Sequence, residues 1–433
     1  MRFDYGLDDV PPLRVHLLLG LQWAFLAMST IVILGKIVGS IQPGGDDQET
    51  LYLQKLFFLT GAVLLAQLRW GHRFPLVSGP AAVLLIGVVS SRGTPLPAAS
   101  TSMFLGGALL VLLAMTGLLG YVRKLFTARV VAVVLLLIVF TLAPTIRDLI
   151  IGQPGGVGPL GNIAFAVVLV FATFSLERFL PGAWRSGALF FAIAGGSAGY
   201  FALFPPTFPG EALARSPWLS NFVSDLTVRP VIVPGVLVSF LICYLALAVN
   251  DIGSIQALNE MLDPAHKDRR INRGLLWTGL ANMASGVFGV LGPVNYSLSP
   301  GVLASTRSAS RRPLILAGVC VLALSPFPRL IGLMGCVPSV VVGGVLAAIM
   351  ASQFSAGLSL ALKGEPGEGI SFRGGVIIGL PVLLGNIIAF LPADVVSSAP
   401  EPLRPIVGNG FVVGVAVVLL LEHVLGRGDD AAG

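Results

Sequence analysis

Within one long apolar run lies Asn250-Asp251-Ile252-Gly253-Ser254, an amide, a carboxylate and a hydroxyl in close succession. Polar groups cost free energy in hydrocarbon and are kept there when they face a cavity or a partner, so this set reads first as binding chemistry. Asn250 and Ser254 are four apart and share a helix face, while Asp251 is rotated about 100° from Asn250. Asp251 is the only carboxylate placed deep in an apolar helix, which makes it the candidate proton carrier. The competing reading is that all three merely tie neighbouring helices together. A second cluster follows at Asn295-Tyr296-Ser297-Leu298-Ser299-Pro300-Gly301. There Pro300 suits the first turn of a helix and Ser299 suits its N-cap, so a half-helix is expected to begin in the middle of an apolar stretch.

The same interruption occurs in the first half, where Ser78-Gly79-Pro80 breaks another short apolar segment ahead of Ala81, Ala82 and Val83. The half-helix breaks are thus expected at Gly79-Pro80 and at Pro300-Gly301. In a bilayer every backbone N–H and C=O must be satisfied internally, so a broken helix is tolerable only where it is buried in protein or lines a polar cavity. Broken segments at matching places in two halves mark a transporter with its site near the midplane. Their free N–H groups and positive dipole ends, around Ala82 and Gly301, would suit an acceptor oxygen or an anion.

The elements that position these groups are membrane helices. Of 433 residues 55% are hydrophobic and 11% charged, with a mean hydropathy of +0.89, a composition foreign to soluble domains. Charges, prolines and glycines divide the chain into fourteen apolar stretches, most long enough to cross the hydrocarbon core. The expectation is an all-α polytopic membrane protein of seven plus seven segments, with residues 1–204 and 230–433 as the two halves and 205–229 as a polar extracytoplasmic connection. Nineteen of the 27 lysines and arginines fall on the side of the N-terminus and eight on the other, which places both termini in the cytoplasm. That bias also accounts for the net charge of +6 without a nucleic acid partner. Asp4, Asp8 and Asp9 precede a first apolar run too long for a signal-peptide core, so the first helix is expected to be retained. Cys243, Cys320 and Cys336 lack metal or redox spacing, and the four histidines lie at or near segment ends. No metal, cofactor or enzymatic chemistry is expected.

Gly301-Val302-Leu303-Ala304-Ser305-Thr306-Arg307-Ser308-Ala309-Ser310-Arg311, Gly253, the Asp263-Pro264 loop, Leu19-Gly20-Leu21-Gln22 and the stretch from Pro75 to Val83 resemble the nucleobase/ascorbate transporter family, which includes bacterial uracil and xanthine permeases. The resemblance implies fourteen segments in two inverted seven-helix repeats. It also implies core and gate domains drawn from both repeats, a homodimer in the inner (plasma) membrane, and cation- or proton-coupled uptake of a base such as uracil or xanthine. On that reading Gln22, Ala82, Asn250, Ser254, Ser297, Ser299 and Gly301 contact substrate. The chain departs from the family at the site itself. Asn250 stands where the family has a base-binding carboxylate, Leu298 and Ser299 replace its polar pair, Gln22-Trp23 replaces Gln-His, and Ala82 replaces an aromatic. Loss of carboxylates leaves a more electropositive pocket. A small-anion transporter of the sulfate-permease-like type, by fold analogy, and a non-transporting paralogue are therefore the alternatives.

Overall fold

Helices follow wherever the apolar runs exceed about 18 residues, because a backbone in hydrocarbon has no other way to satisfy its own polar groups. The computed structural model describes residues 3–41, 45–152, 158–180, 182–204, 216–224, 226, 229–362, 372–400 and 403–425. The connection expected at 205–229 lies largely outside these residues. The first half contains α1 (Leu13–Gly39), α2 (Gly45–Arg69), β1 (Ser78–Pro80), α3 (Ala82–Ser90), α4 (Leu96–Thr116), α5 (Leu119–Leu125), α6 (Ala128–Ile151), α7 (Gly158–Phe179) and α8 (Ala188–Leu203). The second contains α9 (Pro234–Leu262), α10 (Lys267–Phe288), β2 (Pro293–Asn295), α11 (Ser299–Thr306), α12 (Arg312–Leu324), α13 (Pro328–Gly335), α14 (Ser339–Leu362), α15 (Phe372–Ala389), α16 (Ala393–Ser398), α17 (Arg404–Val407) and α18 (Gly410–Leu425).

Among the described residues 8 of these helices are long and apolar enough to cross a membrane, and α12 with α13 makes one further candidate bent by 103°. The remaining apolar stretches become the shorter helices α8 and α18, the helix α10 with its charged start, and two units of strand followed by half-helix. The chain is a multi-pass membrane protein.

Packing sorts the helices into two groups, each containing members from before and after the polar connection. One holds α1, α2, α4, α9, α10 and α12 around the two strands; the other holds α6, α7, α8, α14, α15 and α18. In the seam of α4 against α10, small residues let the backbones approach closely. A Cβ on Gly107 would lie 2.5 Å from the Met283 nitrogen, and one on Gly279 would lie 2.8 Å from the Val111 nitrogen. These obstacles are backbone atoms and cannot swing away.

The two groups meet at a buried amide. Asn409, just ahead of α18, donates through Nδ2 to Ser239 Oγ of α9 at 2.8 Å and to Ser90 Oγ at the end of α3 at 3.1 Å. Its Oδ1 accepts from the Phe411 and Val412 N–H groups, so the same side chain also caps α18.

Widening the α4–α10 seam tests its role. Gly107→Val should destabilise the protein by ~2 kcal/mol, the usual scale of overpacking, and lower the Tm measured in detergent; an unchanged Tm would mean that the seam yields freely.

Candidate functional site

Strands β1 and β2 pair antiparallel, Ser78 opposite Asn295, Gly79 opposite Val294 and Pro80 opposite Pro293. All six residues are buried. The flanking bonds, Tyr296 N–H to Val77 O at 2.9 Å and Ala81 N–H to Gly292 O at 2.9 Å, fix the alternation of the ladder. They leave Ser78–Asn295 and Pro80–Pro293 at positions whose N–H and C=O groups point away from the partner strand. Both prolines therefore stand where no ladder donor is lost. The two matching interruptions of the sequence, Ser78-Gly79-Pro80 and Ser299-Pro300-Gly301, are not structural counterparts: Ser78-Gly79-Pro80 pairs with Pro293-Val294-Asn295, and Pro300-Gly301 falls in the first turn of α11. Gly79-Pro80 likewise belongs to the strand, and α3 starts at Ala82. Extended backbone precedes each half-helix.

The outward-pointing groups of β2, and the Pro80 carbonyl of β1, are met by side chains. Asn295 N–H donates to Asp251 Oδ1 at 2.9 Å, and Ser254 Oγ donates to Asn295 O at 3.0 Å. Asn282 Nδ2 donates to Pro293 O at 2.9 Å, and Tyr296 OH to Pro80 O at 2.8 Å. The Asn295 side chain joins the strands to their surroundings: Ser78 Oγ donates to its Oδ1 at 2.5 Å, and His72 Nε2 lies 3.3 Å from the same atom. His72 Nδ1 accepts the Phe74 N–H at 2.9 Å, so the ring proton belongs on Nε2 and points at Asn295. Thr278 Oγ1 donates to Asp251 Oδ2 at 3.0 Å and accepts from Gln67 Nε2 at 3.0 Å. Asp251, Asn295, Thr278, Asn282, Ser254, Gln67, His72 and Ser78 are all buried.

Several predicted site residues thus turn out to hold the ribbon. Ser254 spends its hydroxyl on Asn295 O and Asn250 O. Ser299 is not an N-cap; Leu298 holds that place, and the Ser299 hydroxyl accepts the Val77 N–H at 3.1 Å. Gly301 N–H donates to Leu298 O at 3.1 Å, so it closes its own turn. The two half-helix starts are consequently unequal. Ala82 and Val83 make no backbone hydrogen bond through their N–H groups among the described residues, whereas α11 has Ser299 and Gly301 bonded and Pro300 without a donor.

Asn250 is half-buried, and its side chain makes no hydrogen bond among the described residues. The helix carrying it packs against α3, β2 and α11. Ser297 and Leu298 are exposed. Gln22 is buried and lines a shallow cleft with Leu18, Leu21, Phe25, Trp184 and Gly187, where α1 meets residues 182–187. An aromatic ring from the second half, Tyr296, lies over β1. The Tyr296 hydroxyl lies 2.5 Å, and its ring 3.0 Å, from where a Gly79 Cβ would sit, so only glycine admits the ring over the strand. Asn295 opens the second polar cluster of the sequence without a role of its own, and Thr278 and Asn282 were not singled out from sequence. Thr278 and Asn282, four apart on one face of α10, carried a signal of the same kind as Asn250 and Ser254.

The permease family model matches residues 14–394. A putative purine permease of Clostridium perfringens (strain 13 / Type A) is 25% identical over 430 residues, covering 97% of this chain and 92% of that protein. A xanthine permease of Bacillus subtilis (strain 168) is 24% identical, covering 94% and 92%. Among solved structures, the transmembrane domain of a cyanobacterium bicarbonate transporter, BicA, superposes with a TM-score of 0.59 at 16% identity over 87% of this chain and 96% of that one. The murine Solute Carrier 26 family member A9 anion transporter gives 0.61 at 12% identity over 98% and 69%. At such identities these structures share the fold alone. Matched over most of its length by the permease model and accompanied by permeases end to end, the chain belongs to the nucleobase/ascorbate transporter family of membrane permeases.

Proposed function

We propose that this protein is a secondary transporter that moves a nucleobase, such as xanthine or uracil, across the plasma membrane by alternating access. The observation that carries this is the unbonded amide of Asn250 on a helix packed against both strand–half-helix units, beside a half-helix whose first N–H groups are open. A nucleobase alternates donors and acceptors around its ring, and one amide offers both. Ala82 and Val83 N–H groups suit a ring carbonyl oxygen, and Ser297 and Gln22 line the approach. Permeases of purines, xanthine and uracil among the sequence relatives support the same substrate class over a small inorganic anion.

In this reading all fourteen apolar stretches are membrane segments in two inverted repeats of seven, both termini are cytoplasmic, and two copies form a dimer. Uptake is driven by a proton or another cation. The helix group around the ribbon carries the substrate against the group of α6, α7, α8, α14, α15 and α18, and Asn409 is the polar contact that must part when they move.

Two measurements test this. Purified protein should bind radiolabelled xanthine or uracil; Asn250→Ala should weaken binding about 10-fold or more through loss of a site hydrogen bond, and Asn250→Glu should retain it. Tolerance of Ala with loss in Glu, alongside binding of sulfate or bicarbonate, would replace the nucleobase by an anion. For the motion, Ser90→Cys with Asn409→Cys, in a background with Cys320→Ser and Cys336→Ser, should lose uptake when bridged by a short thiol crosslinker and regain it on reduction. Full uptake by the bridged protein would rule out separation at this contact.

A further inference from the structure

We propose that Asp251 is a positioning residue, whose carboxylate completes the open edge of the buried ribbon and thereby sets where α11 begins. Asn295 occupies a ladder position whose N–H and C=O point away from β1 and towards α9. Asp251 takes that N–H at 2.9 Å, and Ser254, three residues on and so on the same side of the helix, gives its hydroxyl to that C=O at 3.0 Å. One turn of α9 therefore does for Asn295 what a third strand would do. The second carboxylate oxygen is taken by Thr278 at 3.0 Å. Asp251 is 0% exposed, no salt bridge among the described residues reaches it, and the His72 ring is linked to it through Asn295.

The same turn carries Asn250, about 100° away around the helix, whose side chain is left unbonded. Gripping the ribbon and offering the site amide are thus tasks of adjacent residues. Any slip of β2 along α9 changes the spacing between Asn250 and the first turn of α11. Asp251 acts on substrate only through this placement, an inference that rests on the permease reading for what is placed.

Replacement by asparagine separates this role from proton carriage. An amide oxygen still accepts the Asn295 N–H, whereas an amide cannot carry a transport proton. Full-length protein in liposomes is assayed with radiolabelled xanthine and uracil, with and without an imposed pH gradient, and amide hydrogen exchange is followed over residues 292–301. Asp251→Asn should stay within about threefold of the unmodified protein in KM, and keep its response to the gradient and its slow exchange. Asp251→Ala strands a buried N–H, so it should raise KM about 10-fold or more and speed exchange in that segment while the folded fraction on size exclusion is unchanged. If Asp251→Ala does not fold, Ser254→Ala, which strands the paired C=O, should speed exchange in the same segment. Two results overturn the proposal: loss of the gradient response in Asp251→Asn with binding intact, or unchanged exchange in the alanine variants. Failure of the unmodified protein to take up either base, with exchange behaving as described, would instead remove the nucleobase reading and leave the positioning role standing.

Discussion

A two-stranded ribbon buried among membrane helices is the constraint from which the rest of this structure follows. Two strands have two open edges, and within hydrocarbon neither water nor a further strand is there to satisfy them. An unmet buried backbone group costs about 1–3 kcal/mol, so the outward-facing groups of β2 and the Pro80 carbonyl recruit side chains. Asp251, Ser254, Asn282 and Tyr296 are those recruits. They come from α9, α10 and the chain just after β2, which is why these elements converge on one point. The prolines at 80 and 293 lie opposite each other at positions where a missing N–H costs nothing.

This constraint divides the polar residues of the centre into two kinds. Those that complete the ribbon are buried and bonded: Asn295 alone engages Ser78, Asp251, Ser254 and the His72 ring. Those that remain, Asn250 and the first N–H groups of α3, have bonding capacity left for a ligand. Only one of the two half-helices keeps open donors, because the first turn of α11 consumes its own. On the proposed reading the electrostatic pull on a ligand would come mainly from the α3 side, an asymmetry that suits a neutral ring with donors and acceptors better than an anion clasped from two sides.

Small residues pack helices within a group, and Asn409 is a polar contact between the groups. The seam of α4 on α10 is backbone against backbone at Gly107 and Gly279, which makes the group around the ribbon rigid. Between the groups, Asn409 bonds one serine at the end of α3 and another on α9 while capping its own helix. A contact of two hydrogen bonds to hydroxyls parts at far lower cost than an interlocked apolar seam, so relative motion is cheapest there.

Composition, apolar run length and the placement of Pro and Gly were enough to read the membrane class, the long helices and the two broken segments, because hydrocarbon leaves the backbone so few options. The family was legible too, in the run from Gly301 to Arg311. The division of labour among the polar residues was not. Asp251 and Ser254 look like ligand groups in a one-dimensional reading because the feature that distinguishes them, the outward face of Asn295 some forty residues later, is set by strand register. Register likewise made Ser78-Gly79-Pro80 the partner of Pro293-Val294-Asn295 in place of the similar-looking Ser299-Pro300-Gly301. Local sequence determined where the chain must break and which residues are polar there; only the tertiary pairing decided which of those residues are consumed by the backbone and which are left to a substrate, since hydrogen-bond satisfaction in a buried site is a property of all its neighbours at once.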